Sequence, residues 1–347
     1  MRQLDFTNII HEAWFKYDSS RPIQSIVDIS AQVSTNHVYS LKLESEDLVI
    51  AKLSYFGKYE HFKEDHSIIN ALANNLPSPF QNFLARSLMK ANSVYTYRFT
   101  SSLIDAWVVF YNPTDIKKKL PLRFKTDQIV TLARELSKFH KACSKVKSVL
   151  PSYSKTLHTD INHLLEILDS EQGQFEHRMH IDDIKEQCEL FLENTQKLNY
   201  ASFSKMPVFI DWNIGNFSVT KDFKLYSRWD YDWFRMSSRV LDFYFFSRIV
   251  SDIGDRTVFS YVVGPLMEER FLLFLKEYHT VYPLTESEVR FIKEAYRFFI
   301  LNYVVKDGRY FFHEIYSAKL QKEAFDIYFP LLDTKFKAEK ILDALNL

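Results

Sequence analysis

The sequence predicts an α+β protein in which a small β-rich N-terminal lobe precedes a larger α-helical lobe. Short apolar segments separated by polar turns fill residues 25–112, whereas apolar residues at helical spacing dominate after residue 121. The chain of 347 residues also exceeds what one hydrophobic core usually organises, so two lobes are expected. We place the lobes at residues 1–112 and 113–347.

The N-terminal lobe is predicted to contain a hairpin, one helix and further strands. Apolar segments at 38–43 and 48–51 flank the polar turn 44–47, as in a β-hairpin. Apolar residues within 62–72 share one helical face, so this stretch is predicted to be a helix. Two further strands are predicted at residues 94–100 and 107–110.

The C-terminal lobe is predicted to be mainly helical with a small extended insert. Apolar spacing is typical of amphipathic helices before and after this insert. The predicted helices span residues 129–139, 157–168 and 181–198, the extended segments span 208–210 and 224–229, and helices with aromatic faces fill 238–347.

Composition is that of an ordinary globular protein and argues against several classes. Hydrophobic residues make up 46% and charged residues 25% of the chain. Because 44 basic residues balance 44 acidic ones, nucleic acid is not an expected partner. Two cysteines make neither a disulfide framework nor a zinc site, and we find no secretory signal or membrane-spanning run. We therefore expect a cytoplasmic protein without a membrane partner.

Three oxygen-bearing side chains, Asp211, Asn216 and Asp230, have the spacing of a phosphoryl-transfer site. Asp211 and Asn216 belong to the run Val-Phe-Ile-Asp-Trp-Asn-Ile-Gly-Asn-Phe at 208–217, and Asp230 follows Asp211 by nineteen positions. Such a site needs one carboxylate that takes the proton of a hydroxyl, and an amide and a second carboxylate that hold Mg²⁺. Each residue alone is equally consistent with capping of a turn. The three together, downstream of Lys52, favour the functional interpretation.

Lys52 ends an otherwise apolar strand and is a candidate to neutralise the α- and β-phosphates of a nucleotide. The alternative is a strand-end lysine whose ammonium reaches solvent. A carboxylate on the following helix is expected to hold the lysine in place. We favour Asp65 over Glu64 because Asp65 lies on the apolar helix face, although a solvated acidic face explains either residue alone.

Nucleotide contacts are expected from the turn before Lys52 and from the end of the lobe. Ser34 and Thr35 lie in that turn, which contains no glycine, and offer hydroxyl and backbone N–H donors to phosphate oxygens. A generic polar turn is the alternative. Phe110 and Asn112, at the end of the last strand, complete the predicted nucleotide contacts.

These segments together resemble the aminoglycoside phosphotransferase and choline kinase group, small-molecule relatives of the eukaryotic protein kinases. Residues 211–216 resemble the catalytic loop of that group, which reads His-Gly-Asp-Leu-His-Pro-Gly-Asn, and residues 229–233 resemble its Ile-Asp-Trp/Phe-Asp/Glu segment. Residues 239–242 resemble the Gly-Asp-x-x-x-Asp-Leu segment that follows. The helix 132–140 resembles one that ends in Leu-His, and 36–39 resembles an Asn-x-Val-Tyr segment under the nucleotide.

The resemblance implies a protein-kinase-like two-lobe fold and a kinase that uses ATP (or GTP) and Mg²⁺. The implied acceptor is a hydroxyl of a small sugar, amino alcohol or aminoglycoside-like molecule, and helices after residue 238 are expected to wall its site. By this match Asp211 is the catalytic base, Lys52 pairs with the phosphates, Asn216 and Asp230 bind metal, and Asp242 braces the catalytic loop.

Two departures from the group leave another interpretation open. Phe209-Ile210 stands where the group has His-Gly, and the nucleotide loop lacks glycine. A catalytically weak or inactive nucleotide-binding protein, of the pseudokinase type, is therefore the alternative. A third interpretation treats Asp230 and Asp232 as the Asp-x-Asp of a sugar-nucleotide transferase. It is disfavoured because that class alternates strands and helices, a pattern that the first 110 residues do not have.

Overall fold

A computed structural model describes residues 6–31, 36–252 and 259–347. The strands are β1 (Ile23–Asp28), β2 (His37–Leu43), β3 (Leu48–Ser54), β4 (Met89–Lys90), β5 (Ser93–Val94), β6 (Thr96–Thr100), β7 (Asp105–Tyr111), β8 (Met206–Val208), β9 (Phe217–Val219), β10 (Leu225–Arg228) and β11 (Arg235–Ser237). The helices are α1 (Phe6–Tyr17), α2 (Tyr59–Asn75), α3 (Thr126–Val146), α4 (Leu157–Asp169), α5 (Glu171–His177), α6 (Ile181–Lys197), α7 (Phe243–Val250), α8 (Glu269–Val281), α9 (Glu286–Phe299), α10 (Gly308–Phe311), α11 (Glu314–Glu323), α12 (Phe329–Lys335) and α13 (Ala338–Leu345). A π-helical turn, Ile300–Lys306, follows α9.

The N-terminal lobe is built on a five-stranded antiparallel sheet of order β1-β2-β3-β7-β6. The β2–β3 hairpin pairs Lys42 with Leu48, so its turn spans the four polar residues predicted from the sequence. Alternate residues of β2, Leu41 and Leu43, are fully buried, as expected for a strand with one face on a core. The predicted α+β class, with a small antiparallel lobe and a larger helical part, is confirmed.

Helix α1 packs on the sheet and was not among the predicted elements. Its buried residues Ile9, Ile10, Ala13 and Trp14 recur at helical spacing and form one narrow apolar face. The Trp14 ring meets Phe110 of β7 edge-on at 5.1 Å between centroids. The packing of this face, more than the weak local signal, accounts for the helix.

Two small antiparallel strand pairs interrupt the helices of the larger lobe. β8 pairs with β11, and β9 pairs with β10 in a register that sets Phe217 opposite Arg228. This register brings Asn216 beside Trp229, whose backbone N–H donates to the Asn216 carbonyl at 3.0 Å. The loop before β9 and the loop after β10 are therefore neighbours.

The helices of the described ranges fall short of a membrane span, since none combines sufficient length with sufficient apolar character.

Replacing Trp14 with alanine is expected to lower the free energy of unfolding by about 3–5 kcal/mol, because a large ring leaves a cavity against the sheet. The side chain is only 2% exposed. Phe15→Ala on the same helix is the matched control, since Phe15 is 69% exposed and its loss is expected to change stability by about 0.5 kcal/mol or less. Urea denaturation measures both, and equal losses would contradict the packing described for α1.

Candidate active site

The loop between β8 and β9 brings Asp211 and Asn216 into direct contact. Asn216 Nδ2 donates to Asp211 Oδ2 at 2.9 Å, and Asn213 Nδ2 donates to Asp211 Oδ1 at 2.5 Å. Both carboxylate oxygens of Asp211 are thus oriented by amides of its own loop. This arrangement holds the carboxylate that the sequence analysis assigned as the base.

Asp242 anchors the start of this loop from beneath. Its Oδ1 accepts hydrogen bonds from the backbone N–H groups of Phe209 at 2.9 Å and Ile210 at 2.6 Å. Its Oδ2 lies 2.9 Å from His140 Nε2, and His140 Nδ1 lies 2.8 Å from the Tyr278 hydroxyl. Burial lowers the pKa of His140, outweighing the opposing effect of Asp242, and so favours the neutral form of the ring. Asp242 thus makes the contacts expected of a residue that holds the catalytic loop in place.

Ile210 has a backbone φ of 60°, in the left-handed region that favours glycine. The aligned position in the resembling group is glycine, whereas this chain has a β-branched residue, for which the conformation is strained. The hydrogen bond to Asp242 holds the N–H of this residue, and the side chain is 2% exposed. Tertiary contacts therefore impose on Ile210 a conformation that its own preference opposes.

Lys52 reaches two carboxylates of the loop after β10. Its Nζ lies 2.8 Å from Asp230 Oδ1 and 2.5 Å from Asp232 Oδ1. Burial lowers the pKa of Lys52, but the two carboxylates outweigh it and raise the pKa overall. Burial disfavours the charge on Asp230 as well, yet Lys52 brings the pKa of Asp230 below its ordinary value. Burial raises the pKa of Asp232 to about 6, with the charge of Asp230 acting in the same direction and Lys52 opposing it.

The predicted pairing of Asp65 with Lys52 is wrong. Asp65 Oδ2 accepts from Lys155 Nζ at 2.8 Å, and the alternative, Glu64, accepts from the backbone N–H of Ser154 at 2.9 Å. The physical reason is twofold. Asp232 forms the ion pair with Lys52 that was assigned to Asp65. Helix α2 packs so that its acidic residues contact the chain before α4 instead. Burial raises the pKa of Asp65 to about 6, although Lys155 opposes the shift.

The predicted nucleotide contacts of the N-terminal lobe have different outcomes. The Phe110 side chain is fully buried against Trp14, and its carbonyl accepts from Leu88 N–H at 2.7 Å, which argues against a contact of this ring with a nucleotide. Asn112 is exposed, so its role stays a prediction. Ser34 and Thr35 lie outside the described residues.

Arg228 is a site residue that the sequence analysis missed. Its guanidinium lies 4.3 Å from the Trp212 ring centroid and 4.8 Å from that of Phe209, and Nη2 donates to the Asp211 carbonyl at 2.9 Å. Nε and Nη1 are buried without a hydrogen-bond partner in the part of the chain that the structure describes. Its position in the extended segment 224–229, two residues before Asp230, was the available signal.

The donor set fits a magnesium ion held together with phosphates. Among the described residues, no three His, Cys, Asp or Glu side chains gather closely enough to hold a metal ion by themselves. Mg²⁺ in nucleotide sites is held by one or two protein carboxylates, with phosphate and water oxygens completing the shell. Asp230, whose side chain is 38% exposed, and the amide of Asn216 supply oxygens of the required kind.

Comparisons of the whole chain with solved structures find several of the same architecture. Amicoumacin kinase hAmiN, in complex with AMP-PNP, Ca²⁺ and Ami, superposes with a TM-score of 0.60 at 12% identity and covers 97% of both chains. The microcompartment-associated aminopropanol kinase gives 0.60 at 13% identity, covering 90% of this chain and 92% of that one. The GDP complex of wild-type aminoglycoside 2'-phosphotransferase-IIIa gives 0.53 at 13%, covering 92% and 96%.

The chain has a protein-kinase-like fold. The predicted two-lobe kinase-like architecture is confirmed by these superpositions. No family model matches the sequence, and no curated protein matches it either. At 10–14% identity, the solved kinase-like structures show a shared fold.

Asp242→Ala is expected to destabilise the protein because it leaves two buried backbone N–H groups without an acceptor, at about 1–3 kcal/mol each. Asp242→Asn is the matched control, since its Oδ1 still accepts both N–H groups and its amide donates to the other tautomer of His140. Thermal unfolding of both variants tests the brace. A loss in Asp242→Asn as large as in Asp242→Ala would contradict it.

His66 is expected to make stability fall as the pH falls from about 6.5 to 4. Burial lowers the pKa of His66 to about 4, from an ordinary value of 6.5. Between these values the unfolded chain binds a proton that the folded chain does not, so stability drops by up to about 1.4 kcal/mol per pH unit. Because the raised pKa values of Asp65 and Asp232 act in the opposite direction over this range, the test compares variants: on going from pH 6.5 to 4, His66→Gln should lose less unfolding free energy, or gain more, than the wild type. An identical change in both proteins would contradict the shift of His66.

Proposed function

We propose that the protein is an ATP- and Mg²⁺-dependent phosphotransferase that transfers the γ-phosphate to a hydroxyl of a small molecule. One observation carries this proposal. Lys52 and Asp230, 178 positions apart, lie 2.8 Å from each other, while Asp211 and Asn216 are hydrogen-bonded in the adjoining loop. A lysine, a metal-binding carboxylate, an amide and an oriented base are the parts that phosphoryl transfer requires.

Each residue has a distinct role in the proposed reaction. Asp211, oriented by two amides, accepts the proton of the acceptor hydroxyl as the hydroxyl oxygen bonds to the γ-phosphorus and the bond from that phosphorus to the β-phosphate oxygen breaks, which releases the nucleoside diphosphate. Lys52 neutralises phosphate oxygens, and Asn216 and Asp230 would hold Mg²⁺. Bound Mg²⁺ would supply further neutralisation of the phosphate charge. Arg228 holds the Asp211 main chain through its carbonyl and so positions the base.

The solved relatives support the choice of nucleotide, metal and acceptor class. One is a complex with AMP-PNP and Ca²⁺ and another a complex with GDP, so ATP or GTP with a divalent cation is the proposed pair. The names of these relatives refer to antibiotics and to aminopropanol. We therefore propose a small hydroxylated acceptor such as a sugar, an amino alcohol or an aminoglycoside-like compound.

A second candidate is a nucleotide-binding protein with little or no turnover. The observation that favours it is the double pairing of Lys52, because a nucleotide has to compete with both Asp230 and Asp232 for this cation. The two candidates differ in turnover and agree on nucleotide binding.

Asp211→Asn is expected to lower kcat at least about a hundredfold with little change in nucleotide affinity, because it removes the base and keeps the shape. Asp222→Asn, in the exposed β9–β10 turn, is the matched control and should behave as wild type. Coupled ATP turnover against sugars, amino alcohols and aminoglycosides measures kcat, and thermal shift with ATP and Mg²⁺ measures binding.

Two results would contradict these assignments. If turnover is found and Asp211→Asn leaves it unchanged, Asp211 is not the base. If ATP or GTP with Mg²⁺ gives no stabilisation of the wild-type protein, both candidate functions are wrong. Nucleotide binding without turnover on any acceptor would favour the second candidate.

A further inference from the structure

Asp232 has no step in the proposed reaction, yet both of its carboxylate oxygens contact the N-terminal lobe. Its Oδ1 lies 2.5 Å from Nζ of Lys52 on β3, and its Oδ2 accepts a hydrogen bond from Nδ2 of Asn36, the residue before β2. Asp232 itself follows β10 in the larger lobe. This one side chain therefore connects the loop after β10 to two neighbouring strands of the five-stranded sheet.

The two carboxylates on Lys52 differ in their exposure to solvent. The Asp230 side chain is 38% exposed, whereas that of Asp232 is 13% exposed. A magnesium ion in a nucleotide site completes its shell with phosphate and water oxygens, so it needs a carboxylate that solvent reaches. Asp230 meets this requirement, while both oxygens of Asp232 are engaged by the protein. Metal binding would therefore replace the contact between Lys52 and Asp230 and leave the one with Asp232.

Helix α2 has three acidic residues, and each is engaged by a group other than Lys52. These contacts are Glu60 with Arg98 at 3.5 Å, Glu64 with the Ser154 N–H at 2.9 Å and Asp65 with Lys155 at 2.8 Å. Within residues 6–31, 36–252 and 259–347, the carboxylates paired with Lys52 are those of Asp230 and Asp232. Once Asp230 binds a metal ion, Asp232 is the carboxylate that remains on the lysine.

The ammonium of Lys52 requires such a partner because the residue is only 5% exposed. A buried charge without a partner is strongly unfavourable, so Lys52 would keep its pair with Asp230 if no second carboxylate were present. An ammonium group has three N–H donors. Lys52 can thus keep its contact with Asp232 while the donor released by Asp230 turns to a phosphate oxygen.

We propose that Asp232 is the positioning residue for Lys52, which holds the ammonium in place when Asp230 leaves it for the metal ion. This role rests on the proposed binding of nucleotide and Mg²⁺. It makes the position of the lysine depend on the loop after β10 and on Asn36, and it leaves helix α2 without a part in holding Lys52.

Isothermal titration calorimetry with AMP-PNP or GMP-PNP, whichever the wild type binds, tests the proposal. The affinity is measured with saturating Mg²⁺ and with EDTA in its place, and the ratio of the two affinities is called the metal-dependent gain. Asp232→Asn should lower this gain at least about fivefold, because Lys52 then competes with the metal ion for Asp230. Without Mg²⁺ the affinity should be unchanged or higher, because one carboxylate fewer repels the phosphates.

Asp65→Asn is the matched control. It also removes a buried carboxylate that is paired with a lysine, since Asp65 lies 2.8 Å from Lys155. Both single variants should therefore melt at a lower temperature than the wild type. Asp65→Asn should nevertheless keep the metal-dependent gain of the wild type, so a general loss of stability is distinguished from a loss of lysine positioning.

The double variant Lys52→Met with Asp232→Asn separates positioning from direct metal binding. Without the ammonium, Lys52 no longer competes for Asp230, so the metal-dependent gain should be at least that of the wild type, although nucleotide affinity itself falls. A metal ligand at Asp232 would instead leave the gain low. Because both charges of the pair are removed together, the double variant should fold even where Asp232→Asn alone does not.

Three results would overturn the proposal: an unchanged metal-dependent gain in Asp232→Asn, an equal loss in Asp65→Asn, or a gain below that of the wild type in the double variant. Each of these results leaves the proposed function standing, because the nucleotide still binds. If the wild type binds neither nucleotide analogue, the proposed function and the role of Asp232 are both wrong.

Discussion

The buried carboxylate of Asp242 is the contact on which the candidate site depends. It fixes two consecutive N–H groups of the turn that precedes Asp211, one of them on Ile210 in its strained left-handed conformation. Strain of this kind persists only where the surroundings over-determine the backbone. Asn216 and Arg228 both donate hydrogen bonds to Asp211, which follows this turn. The positions of the site residues therefore depend on the turn that Asp242 holds.

The part of the site that could be predicted from the sequence is the part whose residues lie close together along the chain. Asp211 and Asn216 belong to one short loop, and the β9–β10 hairpin that follows it returns the chain to Asp230. The partner of Lys52 was not predictable in this way. Asp65 and Asp232 both follow plausible patterns, and the choice between them depends on how α2 packs against the chain before α4, which no local pattern records.

The fold was predicted where hydrophobic periodicity is strong and missed where packing supplies the signal. The polar turn between β2 and β3 and the long amphipathic helix α3 have clear patterns, and the structure places them as predicted. Helix α1 has an apolar face of four buried residues, and this face is stabilised only by packing against the sheet. Arg228 was missed for the same reason, because tertiary packing creates its environment. The two aromatic rings that contact its guanidinium belong to another segment of the chain.

The two faces of the N-terminal sheet have different cores, and this limits how modular the protein is. One face packs on α1 in a core of its own, whereas Ile68 and Leu72 of α2 belong to the same continuous core as Phe139 and Trp212 of the larger lobe. The hydrophobic core is therefore continuous across the boundary near residue 112, where the secondary structure changes from strands to helices. A fragment that ended there would expose the α2 face to water, so the lobes should fold as one cooperative unit. Exchanging the N-terminal lobe with that of another kinase-like protein would require redesign of this shared surface.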